Sequence, residues 1–190
     1  ERRSIYSLLS KPISRPQFIV GKYAGLVLTL AVNVAVMTVA LYTVLGYLTY
    51  IQTPAARSAW DAPGVDPRLL EAIGLIFVEL MIVTAIALFF STFSTPLLAA
   101  ALTFGLSIVG HFKTDLRIFD KIVDSPPAVW LARAVYHTVP DFSAFDTKTE
   151  VVHGLPVAAG YIGTTAGYGF AYIAALLVVS VLVFSRRDFK

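Results

Sequence analysis

The chain has 190 residues, of which 57% are hydrophobic and only 14% are charged, with a formal net charge of +3. Because a soluble domain carries about a quarter charged residues, this composition excludes an ordinary soluble protein and indicates a membrane protein. The chain has no cysteine, which excludes a disulfide framework, a thiolate nucleophile and a zinc knuckle.

The charged residues are separated by three long apolar runs. Residues 23–56, 80–112 and 151–185 contain no Asp, Glu, Lys or Arg. Each run is longer than the ~20 apolar residues that cross the hydrocarbon core of a bilayer. The runs therefore predict an all-α membrane protein, with the basic pI explained by charges that flank membrane spans. The sequence has no stripe of basic residues beside a group of aromatic residues, so it does not predict a nucleic-acid partner.

The first 20 residues are polar and contain two prolines, Pro12 and Pro16. Before them, Ile5, Leu8 and Leu9 have the i, i+3, i+4 spacing of a short amphipathic helix. We expect this helix to lie on the membrane surface or against a partner. Since proline interrupts a helix, the first span is predicted after the prolines, at residues 23–47.

The second apolar run requires division, because 33 helical residues would extend about 50 Å across a ~30 Å core. The polar string before Pro96 supplies the break, which predicts spans at 69–90 and 96–112 joined by a tight hairpin. The last span is predicted at 158–184. Between them, segment 113–152 has the pattern of two amphipathic helices, with aromatic residues at headgroup depth.

The charge distribution predicts the orientation of these four spans. The two ends of the chain carry eight basic and two acidic residues, a balance of 8 − 2 = +6, whereas the longer loops carry seven basic and eight acidic residues. The positive-inside rule therefore places both termini in the cytoplasm and segment 113–152 outside an inner (plasma) membrane.

Glu79 is an ionisable residue within the predicted second span. An ionised carboxylate at that depth costs at least ~2.5–3.5 kcal/mol, so it requires an explanation. One reading is functional: Glu79 contacts a proton or substrate, or pairs with a basic group. The other is structural: a neutral or hydrogen-bonded Glu79 joins its helix to the hydroxyl of a neighbour such as Thr103 or Thr38.

Small residues recur at steps of four in two spans, a pattern that lets helix backbones approach closely. Between an intrachain contact and a contact with a second copy, we expect the intrachain one. The predicted packing residues are Gly21, Gly25, Gly163, Gly167, Ala171 and Ala175.

Enzymatic chemistry has little support in the sequence. The chain has no phosphate-binding Gly-x-x-x-x-Gly-Lys-Ser/Thr loop, no His-Glu-x-x-His and no Gly-x-Ser-x-Gly. Its three histidines, at positions 111, 137 and 153, match no local ligand spacing for a metal. We therefore predict no catalytic residue, no metal site and no cofactor held by this chain.

The N-terminal segment carries a specific resemblance. The first 15 residues read Glu-Arg-Arg-Ser-Ile-Tyr-Ser-Leu-Leu-Ser-Lys-Pro-Ile-Ser-Arg, and residues 18–25 read Phe-Ile-Val-Gly-Lys-Tyr-Ala-Gly. These stretches resemble the cytoplasmic loop of type-2 ABC exporter permeases, including permeases associated with multicopper-enzyme maturation. Residues 136–145 look like the external segment of that family, and 184–189 are similar to its C-terminus.

The resemblance implies a permease subunit with six spans that works as a homodimer. It also implies that separate ATPase subunits, which bind ATP and Mg, dock through a coupling helix at residues 1–10. Two spans expected before Glu1 are absent, which implies that residues 1–190 are a single permease domain lacking its N-terminal part. The residues implied in ATPase coupling are Glu1, Ile5, Leu8, Leu9, Lys11 and Arg15.

Two other functions remain open at this level. A stand-alone secondary carrier or channel would use Glu79 for protons and would need no ATPase partner. A membrane scaffold would depend on neither ATP nor ions. The sequence names no transported substrate.

Overall fold

The computed structural model describes residues 14–53, 65–113, 136, 138–153, 155 and 157–185, and this part of the chain is helical without strands. Its elements, in chain order, are α1 (Arg15–Ile51), α2 (Arg68–Ser91), α3 (Pro96–His111), a 3-10 turn (Ser143–Phe145), α4 (Lys148–Val152) and α5 (Ala159–Ser185). The predicted all-α fold is confirmed for these residues.

Three of these helices, α1, α2 and α5, are long and apolar enough to cross a membrane. The remaining predicted span, 96–112, forms α3, which has only 16 residues. At 1.5 Å per residue α3 is about 24 Å long, less than the ~30 Å hydrocarbon core. The described residues thus contain three candidate spans and one shorter apolar helix.

Helix α1 begins well before the predicted start of the first span. It has 37 residues and starts at Arg15, with Pro16 in its first turn. Proline is tolerated there because the first turn does not use its backbone N–H groups within the helix. The side chain of Gln17 accepts a hydrogen bond from the backbone N–H of Ser14 at 3.1 Å. Pro16 therefore starts this helix, whereas the sequence analysis took it as an interruption.

Helix α2 is the centre of the molecule and packs against α1, α3, α4 and α5. The largest of its fully buried residues are Leu75, Ile82 and Ile86. Helix α1 contributes only Ile19 and Tyr23 to the buried core, and every later residue of α1 is at least partly exposed. The core is thus built around one central span.

Tyrosine hydroxyl groups tie α1 to α2 at two levels. The hydroxyl of Tyr23 donates to the carbonyl oxygen of Met81 at 3.2 Å. That of Tyr42 donates at 2.8 Å to the carbonyl oxygen of Asp66, two residues before α2 begins. Because the residue numbers rise along α1 as they fall along α2, the two helices are antiparallel.

The hairpin predicted between α2 and α3 is confirmed, since α2 ends at Ser91 and α3 begins at Pro96. Hydroxyl groups end α2 by donating to carbonyls of its last turn: Thr92 to Phe89 and Ser94 to Phe90, both at 2.7 Å. These bonds satisfy carbonyl groups that have no partner within the helix.

Several predictions lie outside the described residues. These are the coupling helix at residues 1–10, both amphipathic helices predicted between positions 114 and 135, and five of the six implied coupling residues: Glu1, Ile5, Leu8, Leu9 and Lys11.

Candidate functional site

Glu79 lies near the middle of α2 and contacts a histidine at the end of α3. The Oε1 atom of Glu79 is 3.1 Å from Nε2 of His111. The Glu79 side chain is 13% exposed, while that of His111 is 46% exposed. A basic partner for Glu79, one of the readings of the sequence, is therefore present, and it is His111.

The pair forms at this depth because α3 is short. Glu79 lies 12 residues before the end of α2, about 18 Å along the helix axis from the hairpin. His111 is the last residue of α3, about 22 Å from the same hairpin. Helix α3 thus ends beside Glu79, halfway along α2.

The other nitrogen of His111 fixes how the ring faces Glu79. Its Nδ1 atom is 2.9 Å from the carbonyl oxygen of Ser107, one turn earlier in α3. A carbonyl oxygen only accepts hydrogen bonds, so the hydrogen of this contact belongs to Nδ1. The ring is then oriented with Nε2 toward the carboxyl group of Glu79.

Residues 138–147, which we call the return segment, cover the end of α3. The backbone N–H of Phe142 donates to the carbonyl oxygen of Gly110 at 3.2 Å, which satisfies one of the unpaired carbonyls at the helix end. The fully buried ring of Phe142 lies 5.4 Å, between ring centroids, from that of His111. The return segment therefore touches the site directly.

Gly110 allows this close approach. A Cβ atom at Gly110 would lie 2.8 Å from Cε2 of Phe142 and 2.9 Å from the carbonyl oxygen of Pro140. Contacts this short do not occur for real Cβ atoms, so only glycine fits between α3 and the return segment.

Gly169 of α5 makes a second close contact. A Cβ atom at this position would lie 2.6 Å from Cγ1 of Val78 and 3.3 Å from the ring of Phe145. Phe145, like Phe142, is fully buried. The two phenylalanines anchor the return segment among α2, α3 and α5.

Three tyrosines along α5 hold the return segment by hydrogen bonds to its backbone. The hydroxyl of Tyr161 donates to the carbonyl oxygen of Ala144 at 2.8 Å. That of Tyr172 donates to the carbonyl oxygen of Thr138, also at 2.8 Å. Tyr168 instead accepts a hydrogen bond, at 3.2 Å, from the backbone N–H of Asp141.

Two further charged side chains act on Glu79. Lys148 attracts the carboxylate and Asp146 repels it. These two residues also pair with each other, with Nζ of Lys148 3.4 Å from Oδ1 of Asp146, and both are about half exposed. The site therefore combines a mostly buried pair with a more exposed one.

The hydroxyl partners suggested for Glu79 bond elsewhere. Thr103 donates to the carbonyl oxygen of Ala99, and Thr38 donates to that of Val34, each at 2.7 Å and each within its own helix. Both hydroxyl groups thus donate to a carbonyl oxygen one turn earlier in their own helices and not to Glu79.

The expected intrachain packing of the small-residue faces is wrong for the part of the chain that the structure describes. A Cβ atom at Gly21, Gly25, Gly163 or Gly167 would meet no atom within 4 Å, and Ala171 and Ala175 are exposed. Spacing identifies a face of small residues, but it does not say whether a helix covers that face. The close contacts occur at Gly110 and Gly169, which the sequence analysis missed.

Arg15 is the one implied coupling residue that the structure describes. Its Nη1 atom donates to the carbonyl oxygen of Ser185, the last residue of α5. A cation at a helix C-terminus interacts favourably with the unpaired carbonyls and the helix dipole. The rings of Phe18 and Phe184 stack beside it, with centroids 5.9 Å apart. The first turns of α1 are therefore joined to the end of α5.

No cluster of three or more metal-ligating side chains occurs among the residues with described positions. His111 bonds as above, and Nδ1 of His153 lies 2.8 Å from the carbonyl oxygen of Thr149. Comparison of the chain with protein family models, with curated proteins and with solved structures gave no match.

Proposed function

We propose that this chain is the transmembrane permease subunit of an ATP-binding-cassette exporter, driven by a separate ATPase subunit and acting as a homodimer. In this proposal both termini are cytoplasmic, the membrane is the inner (plasma) membrane, and ATP and Mg bind to the partner. The chain itself is a transporter subunit, not an enzyme. The basis is the resemblance of residues 1–25, together with the apolar helices of the fold.

The contact between Arg15 and Ser185 is the structural observation that supports this proposal best. Helix α1 starts at Arg15, only a few residues after the segment proposed to dock the ATPase. Because Arg15 also holds the C-terminal end of α5, a displacement of that segment would be transmitted to two spans together. Such an arrangement suits a subunit whose spans are moved from the cytoplasmic side.

A proton-dependent carrier is the second candidate, favoured by the pairing of Glu79 with His111 inside the helix bundle. It differs from the first in needing no ATPase. Purification from the native membrane distinguishes the two: the exporter proposal expects a nucleotide-binding chain to co-purify with the protein. Recovery of the homo-oligomer alone would contradict it.

A double substitution tests the coupling segment. Replacing Leu8 and Leu9 with Asp should abolish docking, because helix-in-groove contacts depend on apolar anchors at such spacings, each contributing about 1.5–3 kcal/mol when buried. The measurement is the stimulation of ATP hydrolysis in proteoliposomes when this chain is assembled with the ATPase subunit, relative to the ATPase subunit alone. We expect loss of stimulation with unchanged membrane insertion.

The matched control replaces Ser7 and Ser10 with Asp. Helical spacing puts these positions on the opposite face from Leu8 and Leu9, and the control adds the same two charges. We expect it to retain stimulation. Equal activity of both double variants and the parent would remove the coupling role from this segment.

A further inference from the structure

We propose that Glu79 and His111 together bind a single proton, and that this proton holds the return segment against the end of α3. The proposal goes beyond the exporter function and does not depend on it. It rests on the contact geometry of the pair and on the contacts that connect His111 to Phe142.

The number of protons follows from the two contacts of His111. Since Nδ1 carries a hydrogen for the Ser107 carbonyl, a contact of 3.1 Å between Nε2 and Glu79 requires one more hydrogen between them. That hydrogen belongs either to an imidazolium facing a carboxylate or to a carboxylic acid facing a neutral imidazole. Both arrangements contain the same proton.

Loss of this proton changes attraction into repulsion. A carboxylate of Glu79 would then face the lone pair of Nε2, with no hydrogen between two acceptors. The carboxylate would also be left as an unpaired charge within the apolar bundle, which is costly. The contact is therefore present when the proton is bound and is lost as the pH rises.

The return segment is connected to this contact through adjacent residues. Phe142 packs against the His111 ring and donates its backbone N–H to Gly110, the residue before His111. When His111 leaves Glu79, the last turn of α3 loses its tie to α2, and the packing of Phe142 changes with it. Proton release should loosen the return segment from α3.

Other titratable groups around the pair do not supply this proton. Asp146 and Lys148 pair with each other at the surface, and Nζ of Lys113 donates to the carbonyl oxygen of Val139 at 2.8 Å. The other charged residues of α1, α2 and α4 are exposed: Arg15, Lys22, Arg68, Glu71 and Glu150. Four tyrosines on neighbouring helices have hydroxyls that bond to backbone groups. They are Tyr23, Tyr161, Tyr168 and Tyr172.

A distance measurement tests the proposal. The chain contains no cysteine, so spin labels can be placed at Thr95→Cys in the hairpin and Ser143→Cys in the return segment, both exposed positions. Pulsed electron spin resonance is recorded on the full chain in nanodiscs between about pH 5 and about pH 10. At low pH we expect one narrow distance peak, from molecules in which the return segment is held against α3. Above the midpoint a second, displaced population should appear. Its ratio to the narrow population should rise about tenfold per pH unit, as the release of one proton requires.

Two substitutions assign the transition to the pair. In Glu79→Gln the amide donates to Nε2 without a titrating proton, so the narrow peak should persist at every pH. In His111→Ala the contact is gone, so the displaced population should be present at every pH. Glu71→Gln is the control, because Glu71 is an exposed carboxylate elsewhere on α2, and it should keep the parent transition.

Each contrary result would overturn the proposal. A parent protein with one pH-independent distance would show that no proton controls the segment. A transition retained in Glu79→Gln would assign the proton to another group. A narrow peak retained in His111→Ala would show that the contact does not hold the return segment. If Glu79→Gln fails to fold, His111→Gln replaces it, since its amide donates to the Glu79 carboxylate and the same pH independence is expected.

Discussion

Two glycines of α3 lie in different surroundings. Gly110 is packed against Phe142 and Pro140, whereas a Cβ atom at Gly105 would meet no atom within 4 Å. We expect Gly110→Ala to lower the free energy of unfolding by about 1–3 kcal/mol, the usual cost of overpacking. Thermal unfolding in detergent measures this effect.

Gly105→Ala is the matched control within the same helix. Replacing glycine by alanine inside a helix favours the helix by up to about 1 kcal/mol, so this variant should be as stable as the parent or more stable. Equal losses of stability in the two variants would show that the contact with Phe142 is not what restricts position 110.

The sequence reveals one half of the Glu79–His111 pair but not the other. Glu79 is conspicuous because it stands alone among apolar residues. His111 is 32 positions away and looks like an ordinary histidine at the end of a span. Only the length of α3 brings the two side chains to the same depth. A basic residue at the end of an unusually short span was the available signal.

At the scale of elements, the return segment depends on hydrogen bonds from α5. Tyr161→Phe together with Tyr172→Phe keeps both rings but removes two hydroxyl groups that donate to carbonyl oxygens of the segment. Each bond contributes about 1 kcal/mol. We expect a corresponding loss of thermal stability, measured in detergent, and faster proteolysis within residues 138–147.

Tyr47→Phe is the control, because Tyr47 is 64% exposed on α1. It should leave both the stability and the proteolysis rate unchanged. Parent-like behaviour of the double variant would show that the buried rings of Phe142 and Phe145 hold the segment without help from α5.

The predicted elements differ from the structure where one residue type is compatible with two local structures. Pro16 can interrupt a helix or begin one, and here it begins α1. Segment 113–152 was predicted to contain two interfacial helices, and both lie outside the described residues. Another part of it, the return segment, buries Phe142 and Phe145 beside the middle of α2. No periodicity in a single sequence indicates such a tertiary contact.

At the scale of the whole molecule, the orientation in the membrane can be tested with the same cysteine-free background. A cysteine at Ser185, the end of α5, should resist an impermeant thiol reagent in intact cells, while one at Thr149 should react. This follows from the +6 balance at the chain ends. The reverse labelling pattern would invert the topology and exclude ATPase docking through residues 1–10.

Helices α1 and α3 differ greatly in length within one chain. Their 37 and 16 residues correspond to about 55 Å and about 24 Å. A tilt of 40°, near the upper limit for membrane helices, would still leave α1 with a height of about 42 Å, so its ends must project beyond the hydrocarbon core. In a bilayer, the lipid beside α3 would have to thin, or protein would have to fill the remaining height. The return segment contacts the end of α3. The chain thus presents two different hydrophobic thicknesses to its surroundings, and a bilayer of uniform thickness cannot match both.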